Sequence, residues 1–177
     1  MGIFDGIENV GMKDKKQRVF YCFDGKEDHW RIYKLTPQLS SVTGQKILTP
    51  QQWELVLKRG KQAIKQWTIR NLEVAQCMVV LIGSHTSERE IVLDQIRQAW
   101  EMKKPMIGIH IHHCDDVAHK CSLKGDNPFE LVTVDNIKLS DKIAVYNPPS
   151  RQHKEVIAYI QQYIQGWITT AIVDSQF

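Results

Sequence analysis

The stretch from Cys77 to Trp100 constrains the fold of this chain more than any other. It opens with Cys-Met-Val-Val-Leu-Ile, a run too short for a buried helix and rich in β-branched residues, which predicts a central strand covered on both faces. Gly83 and Ser84 turn the chain. Ser87 followed three residues later by Glu90 has the pattern of a capping box, so a helix is expected to begin near Glu88. Val92, Ile96, Ala99, Trp100 and the stem of Lys103 recur at helical spacing and predict one stripe lying on the sheet. Strand, turn and helix make one βα unit. Ligands of open parallel sheets bind outside the carboxyl ends of the strands, which puts Ser84, His85 and the first turns of this helix at a potential site.

The bounds set by composition are plain. At 177 residues, 42% hydrophobic and 24% charged, the chain has the size and content of one globular domain with a real core. We expect a short arm over 1–16 and the domain over 17–177. A net charge of +3, with acidic residues scattered among the basic ones, gives no reason to expect a nucleic-acid partner. The cysteines Cys22, Cys77, Cys114 and Cys121 lack paired metal spacing, and two of them fall in predicted buried strands, so a reducing, cytoplasmic setting is expected. No signal-peptide pattern, lipidation signal or membrane-length apolar run is seen, and no membrane partner is expected.

Taken in order, Arg18–Phe23 reads as a strand stopped by Asp24-Gly25, which sets Asp24 at its carboxyl end. A short helix is expected over Glu27–Leu35 and a loop over Thr36–Leu48. Thr49, Pro50 and Gln52 then signal a capped helix, read as one element with Trp53, Val56, Leu57, Ile64 and Trp67 on a single face. Its Lys58, Arg59, Lys61 and Lys65 read as a solvated surface. Met106–His112 is a second buried strand, 113–141 a long connection, and Lys142–Tyr146 a last short strand. Ser150 is read as the cap of a helix burying Val156, Ile160, Ile164, Trp167 and Ala171. Alternating strands and helices predict an α/β fold, a parallel sheet with helices on both faces.

Several chemistries can be weighed on residue types alone. His110, His112, His113 and His119 lie near Cys114 and Cys121, but without two paired ligand motifs they give no metal site, and none is expected. His112 and His113 instead read as lining the strand-end crevice. Neither Cys22 nor Cys114 carries the local signature of a Cys-His nucleophile. No Walker or dinucleotide fingerprint occurs, so a nucleotide would be held without a Gly-rich phosphate loop.

Four motifs in order carry a resemblance: residues 18–23 with Asp28-His29-Trp30-Arg31, Val79-Val80-Leu81-Ile82-Gly83-Ser84-His85-Thr86 before a helix, Ile107–His112, and Lys124-Gly125-Asp126-Asn127-Pro128-Phe129. Over about residues 17–130 the chain resembles the bacterial TIR-like family, in particular the TIR subunits of Thoeris anti-phage systems. The resemblance implies a flavodoxin-like TIR fold that cleaves NAD as substrate, with no separate cofactor. It further implies that the ADP-ribose part is cyclised or conjugated into a signal for an effector protein. The family's glutamate, in a stretch commonly reading Trp-x-x-Tyr-Glu-Ile, falls on Gln95, and its tryptophan on Ile91. The resemblance thus assigns position 95 the catalytic role and Phe23, Asp24, Ser84, His85, Ile91 and His112 to substrate binding. A carboxylate there would stabilise the sugar cation that forms as nicotinamide leaves, and a neutral amide cannot.

Three readings stay open on the sequence. The chain is a TIR enzyme with its carboxylate neutralised, or a catalytically dead TIR module binding nucleotides or protein partners such as a phage component, or a flavodoxin-like response module unrelated to NAD. The resemblance also implies self-association, with the Thr36–Leu48 segment closing over a site between protomers.

Overall fold

All six residues of Cys77–Ile82 are buried, and this strand sits at the centre of the sheet in the computed structural model, which describes residues 16–174 and 177. The arm expected over 1–16 lies outside the described residues, apart from Lys16. We label the strands β1 (Gln17–Cys22), β2 (Val42–Gly44), β3 (Cys77–Ile82), β4 (Met106–His110), β5 (Thr133–Val134), β6 (Ile137–Lys138) and β7 (Val145–Tyr146). The helices are α1 (His29–Leu35), α2 (Pro50–Lys58), α3 (Lys61–Val74), α4 (Glu90–Glu101) and α5 (His153–Val173). The main sheet runs β2-β1-β3-β4-β7 with every pairing parallel, the doubly wound order of flavodoxin-like folds. Its centre is pinned by Val19 opposite Cys77 and by Met78 opposite Met106.

Alternation along β3 divides the core into two layers. Cys77, Val79 and Leu81 pack with Ile32 and Leu35 of α1 and with Val156, Ile160, Ile164 and Ile168 of α5. Met78, Val80 and Ile82 face the other way, onto Leu72 of α3 and Val92, Ile96 and Ala99 of α4. Both faces of the strand are therefore covered, and each fully buried aliphatic chain contributes about 1.5–3 kcal/mol. Trp167, expected in the buried stripe of α5, is only half-buried and stacks on Tyr146 at 4.1 Å between centroids.

Several boundaries differ from the sequence expectation, each for a local reason. The Thr36–Leu48 segment is not all loop: it carries a 3-10 turn and the edge strand β2, and the Gln45 side chain then extends the ladder by accepting from Tyr21 N–H and donating to Tyr21 C=O, both at 2.8 Å. The Ser87 capping box does not form, because the Thr86 hydroxyl accepts from Gly83 N–H and winds 86–88 into a 3-10 turn. The helix then starts at Glu90 behind Arg89. The strand expected to run to His112 ends at His110, where Cys114 N–H turns back onto Ile111 C=O. Helix α5 starts at His153 after Gln152, and the Ser150 hydroxyl accepts from Gln152 N–H in the turn before it. The long connection holds an antiparallel pair, β5 and β6, joined by Asp135 and Asn136 at φ 50° and 62°.

The largest correction is that the helix expected from Thr49 through Trp67 is two helices. Thr49 and Gln52 do form the reciprocal capping box, but Gly60, at φ 85° and ψ 172°, breaks the run. No side chain of α2 is fully buried. A Cβ at Gly60 meets nothing within 4 Å among the described residues, so alanine there costs only backbone strain of about 1–3 kcal/mol. With so little holding α2 down, re-aiming it relieves that strain more cheaply than unfolding. Gly60→Ala should speed amide exchange over 50–58 and leave 77–82 protected, and a uniform loss of protection would contradict this.

Candidate functional site

Beyond β1 the chain gives Phe23, half-buried, and Asp24, 2% exposed. The Asp24 carboxylate accepts from Lys26 N–H at 2.9 Å and from Arg89 Nε at 2.8 Å, while its carbonyl accepts from Asp28 N–H. One buried residue therefore ties the end of β1 to the turn before α1 through its carbonyl and to the residue before α4 through its carboxylate. Asp28, wholly buried, holds Arg31 at 2.8 Å, and Arg31 reaches the carbonyls of Cys114 and Lys120. Burial outweighs Arg31 and pushes the Asp28 carboxyl up to about 6.

A cleft of about 40 Å³ opens beside Phe23, between Trp53, Trp67, Ile91 and Gln95, under the segment 45–48. The indoles sit 5.8 Å apart, and Trp67 meets Phe20 edge-on at 5.6 Å. A second, larger cavity of about 330 Å³ lies between α3 and α4, where Lys61 and Lys65 face Glu90 and Asp94. Ile91 and Gln95 border both. No carboxylate lines the smaller cleft among the described residues.

Gln95 is 6% exposed, a polar group in a helix stripe otherwise made of Val92, Ile96, Ala99 and Trp100. Its amide is satisfied from both sides: Oε1 accepts from the Cys22 thiol at 3.2 Å, and Nε2 donates to the Thr68 hydroxyl at 3.1 Å. Burial raises the Cys22 thiol far above its ordinary range, so it remains a donor.

Residues 20–116, more than half of the chain, match the family described as Thoeris protein ThsB, TIR-like domain. The chain belongs to the ThsB TIR-like family. It is also 29% identical over 124 residues to a Bacillus cereus (strain MSX-D12) protein named "Putative cyclic ADP-D-ribose synthase ThsB1". That alignment covers 64% of this chain and 62% of the relative, so the chain spans about three fifths of the length of the curated protein it matches.

Within this ThsB TIR-like domain the residues expected to share one crevice divide. Phe23, Ile91 and Gln95 meet in the smaller cleft, and Asp24 lies behind it, occupied by Arg89. Ser84 and His85 bond each other at 3.0 Å on the outer side of the turn that Thr86 tightens, and they line neither cavity. His112 is buried against His110 and His113, also away from both. The Lys124–Phe129 stretch does not rim the cleft: Gly125 packs on the Gly83 carbonyl, and Asn127 caps the 3-10 turn that buries Phe129. The residue-by-residue reading missed Trp53, Trp67, His29 and Gln45 as cleft residues. The two tryptophans were visible in the sequence, but reading one helix through Gly60 put them in a core stripe rather than around a cavity. They supply aromatic surface beside Ile91.

The histidines make a pH prediction. His110 and His112 are 6% and 5% exposed, and Nδ1 of each has no partner among the described residues. Burial holds both imidazoles down at about 4, with His113 adding to the effect on His112 and Lys124 to both. A lowered folded pKa stabilises the fold above the unfolded value of about 6.5 and loses that contribution as pH falls through the folded value. Asp28 acts oppositely, since its raised pKa favours the fold at low pH and that contribution is lost as pH rises through about 6. Two histidines oppose one aspartate, so the urea midpoint should fall between pH 6.5 and 4. His112→Gln should flatten that slope, and an unchanged slope would show that His112 does not contribute to it.

Among the described residues no helix is long and apolar enough to cross a membrane.

Proposed function

We propose that this chain binds NAD or an ADP-ribose derivative at the Gln95 cleft as the nucleotide-handling member of a Thoeris-type pathway, with turnover withheld by the amide at position 95. The observation that carries this is Gln95 itself: a buried amide, bonded through both its oxygen and its nitrogen, at the wall of an aromatic cleft with no lining carboxylate among the described residues. Breaking the bond between nicotinamide and ribose builds positive charge on the sugar, and an anion beside it acts mainly on that transition state. Ground-state binding is spread over many contacts and does not need the charge. Family membership and the cyclic ADP-D-ribose synthase name of the relative support NAD as the nucleotide and a cyclised or conjugated ADP-ribose as the signal to an effector.

The cleft at about 40 Å³ is smaller than a nucleotide. Ligand uptake therefore displaces the 45–53 segment, which is anchored mainly by Gln45 and by Trp53 against Gly25 and Trp67. Titration calorimetry with NAD and with ADP-ribose on the unmodified chain tests the reading. Binding to both chain and Trp53→Ala variant with equal affinity would place the ligand elsewhere. No binding of either nucleotide, with or without a second copy of the chain assembled on it by light scattering, would leave a protein-binding module as the better account.

A further inference from the structure

Building on that assignment of position 95, we propose that Cys22 and Thr68 are positioning residues, two donors from separate elements that form a cradle shaped for a carboxylate at residue 95. The physical oddity is the site's cost. Position 95 lies on the apolar stripe of α4, where leucine or methionine would be buried without desolvating a polar group. The chain instead keeps an amide there and matches it with polar partners on both sides. Cys22 belongs to β1 and is fully buried; Thr68 belongs to α3 and is 2% exposed. Their contacts at 3.2 Å and 3.1 Å reach residue 95 from the sheet and from the neighbouring helix, so its terminal group is fixed from two sides.

The partners' chemistry favours an acceptor. A buried thiol can offer a weak S–H donor, and the Thr68 hydroxyl, which accepts from the present amide, can rotate and donate. An amide uses one of these groups as donor and the other as acceptor. A carboxylate would use both as donors, one to each oxygen, and charge-assisted hydrogen bonds of that kind are the stronger. The cradle therefore holds a carboxylate in one orientation toward the cleft and lowers the free energy of its charged form in a site where Phe23, Trp53, Trp67 and Ile91 supply apolar wall and His29 and Lys46 polar wall.

The test is the titration of the carboxylate introduced by Gln95→Glu, followed by carbon-13 NMR of labelled glutamate side chains in the full chain. In that background Cys22→Ala and Thr68→Val should each raise its midpoint by roughly one pH unit, and Cys22→Ser should restore it. The other charged or titratable groups around the position, Lys61, Lys65, Glu90, Asp94, Arg97 and Glu101 along the open groove and His29 and Lys46 in the smaller cleft, are the same in every variant, so the shift isolates Cys22 and Thr68. Midpoints unmoved by Cys22→Ala and Thr68→Val, or no recovery with Cys22→Ser, would overturn the cradle. Should Gln95→Glu fail to fold, the Gln95 side-chain amide of the unmodified chain tests whether Thr68 fixes the terminal group of residue 95. Its protons should exchange slowly in the parent and at least tenfold faster in Thr68→Val, and equal rates would overturn the proposal. A shifted midpoint without NAD turnover would keep the cradle and remove the NAD reading, so the two fail separately.

Discussion

Gln95→Glu should raise nicotinamide release from NAD by on the order of 10²-fold to 10³-fold, the span typical for restoring one electrostatic partner of a transition state. The expectation follows from where the side chain sits. Glutamate has the same length as glutamine, and both neighbours of the Gln95 amide, the Cys22 thiol and the Thr68 hydroxyl, can donate to an oxygen. The substitution therefore adds charge without adding bulk or leaving a buried group unpartnered. Affinity for NAD should change far less than rate, because the added anion acts chiefly where positive charge develops. The measurement is nicotinamide release by chromatography beside calorimetry on the same preparations. A parent chain that already releases nicotinamide as fast as the variant would remove position 95 from the chemistry.

The second large effect concerns stability. A Cβ at Gly83 would lie 1.9 Å from Asp28 Oδ2 and 2.5 Å from its Cγ. That carboxylate cannot step aside, since it is wholly buried and held by Arg31, which is itself bonded to the carbonyls of Cys114 and Lys120. Overpacking alone costs about 1–3 kcal/mol, and breaking a buried ion pair costs about 3–5 kcal/mol. Gly83→Ala should therefore consume much of the stability of a domain whose total is about 5–15 kcal/mol. Gly125→Ala should be similarly severe, because its Cβ would meet the Gly83 carbonyl at 1.9 Å and backbone yields less than a side-chain tip. Gly166→Ala supplies the opposite sign: it lies within α5 with nothing among the described residues within 4 Å of the added carbon, and it should stabilise by about 0.5–1 kcal/mol. Urea midpoints for the three variants decide the matter. A mild Gly83→Ala would mean that the Asp28 clamp gives way easily.

The parts of this architecture that were legible in the sequence are those set by strong local patterns. The apolar run of β3, the Thr49 cap with Pro50, and the stripe of α4 are each dictated by burial or by capping chemistry acting within a few residues. What stayed hidden depended on competition between local signals or on partners far away in sequence. The Ser87 cap lost to the Thr86 hydroxyl, whose bond to Gly83 N–H tightens the turn first. Strand β2 is three residues long and owes its place to pairing with β1, which no window around Val42 reveals. The β5–β6 turn did carry its sign, Asp135-Asn136 between two short β-prone pairs, and two-residue strands are too brief for alternation to declare them. In the site, Gln95 and Ile91 could be aligned by motif, whereas Cys22 and Thr68 become its partners only when β1 and α3 close on α4.

The sheet's two ends bear on how copies of this chain can meet. Exposed strand edges are templates for intermolecular pairing, the route by which β proteins aggregate. Here β2 offers three residues and β7 two, the latter running into Pro148 and Pro149, which have no N–H to give. Among the described residues neither rim offers a long edge for a growing ladder. Rims this short favour contacts between copies through helix and loop surfaces, which part without unzipping backbone.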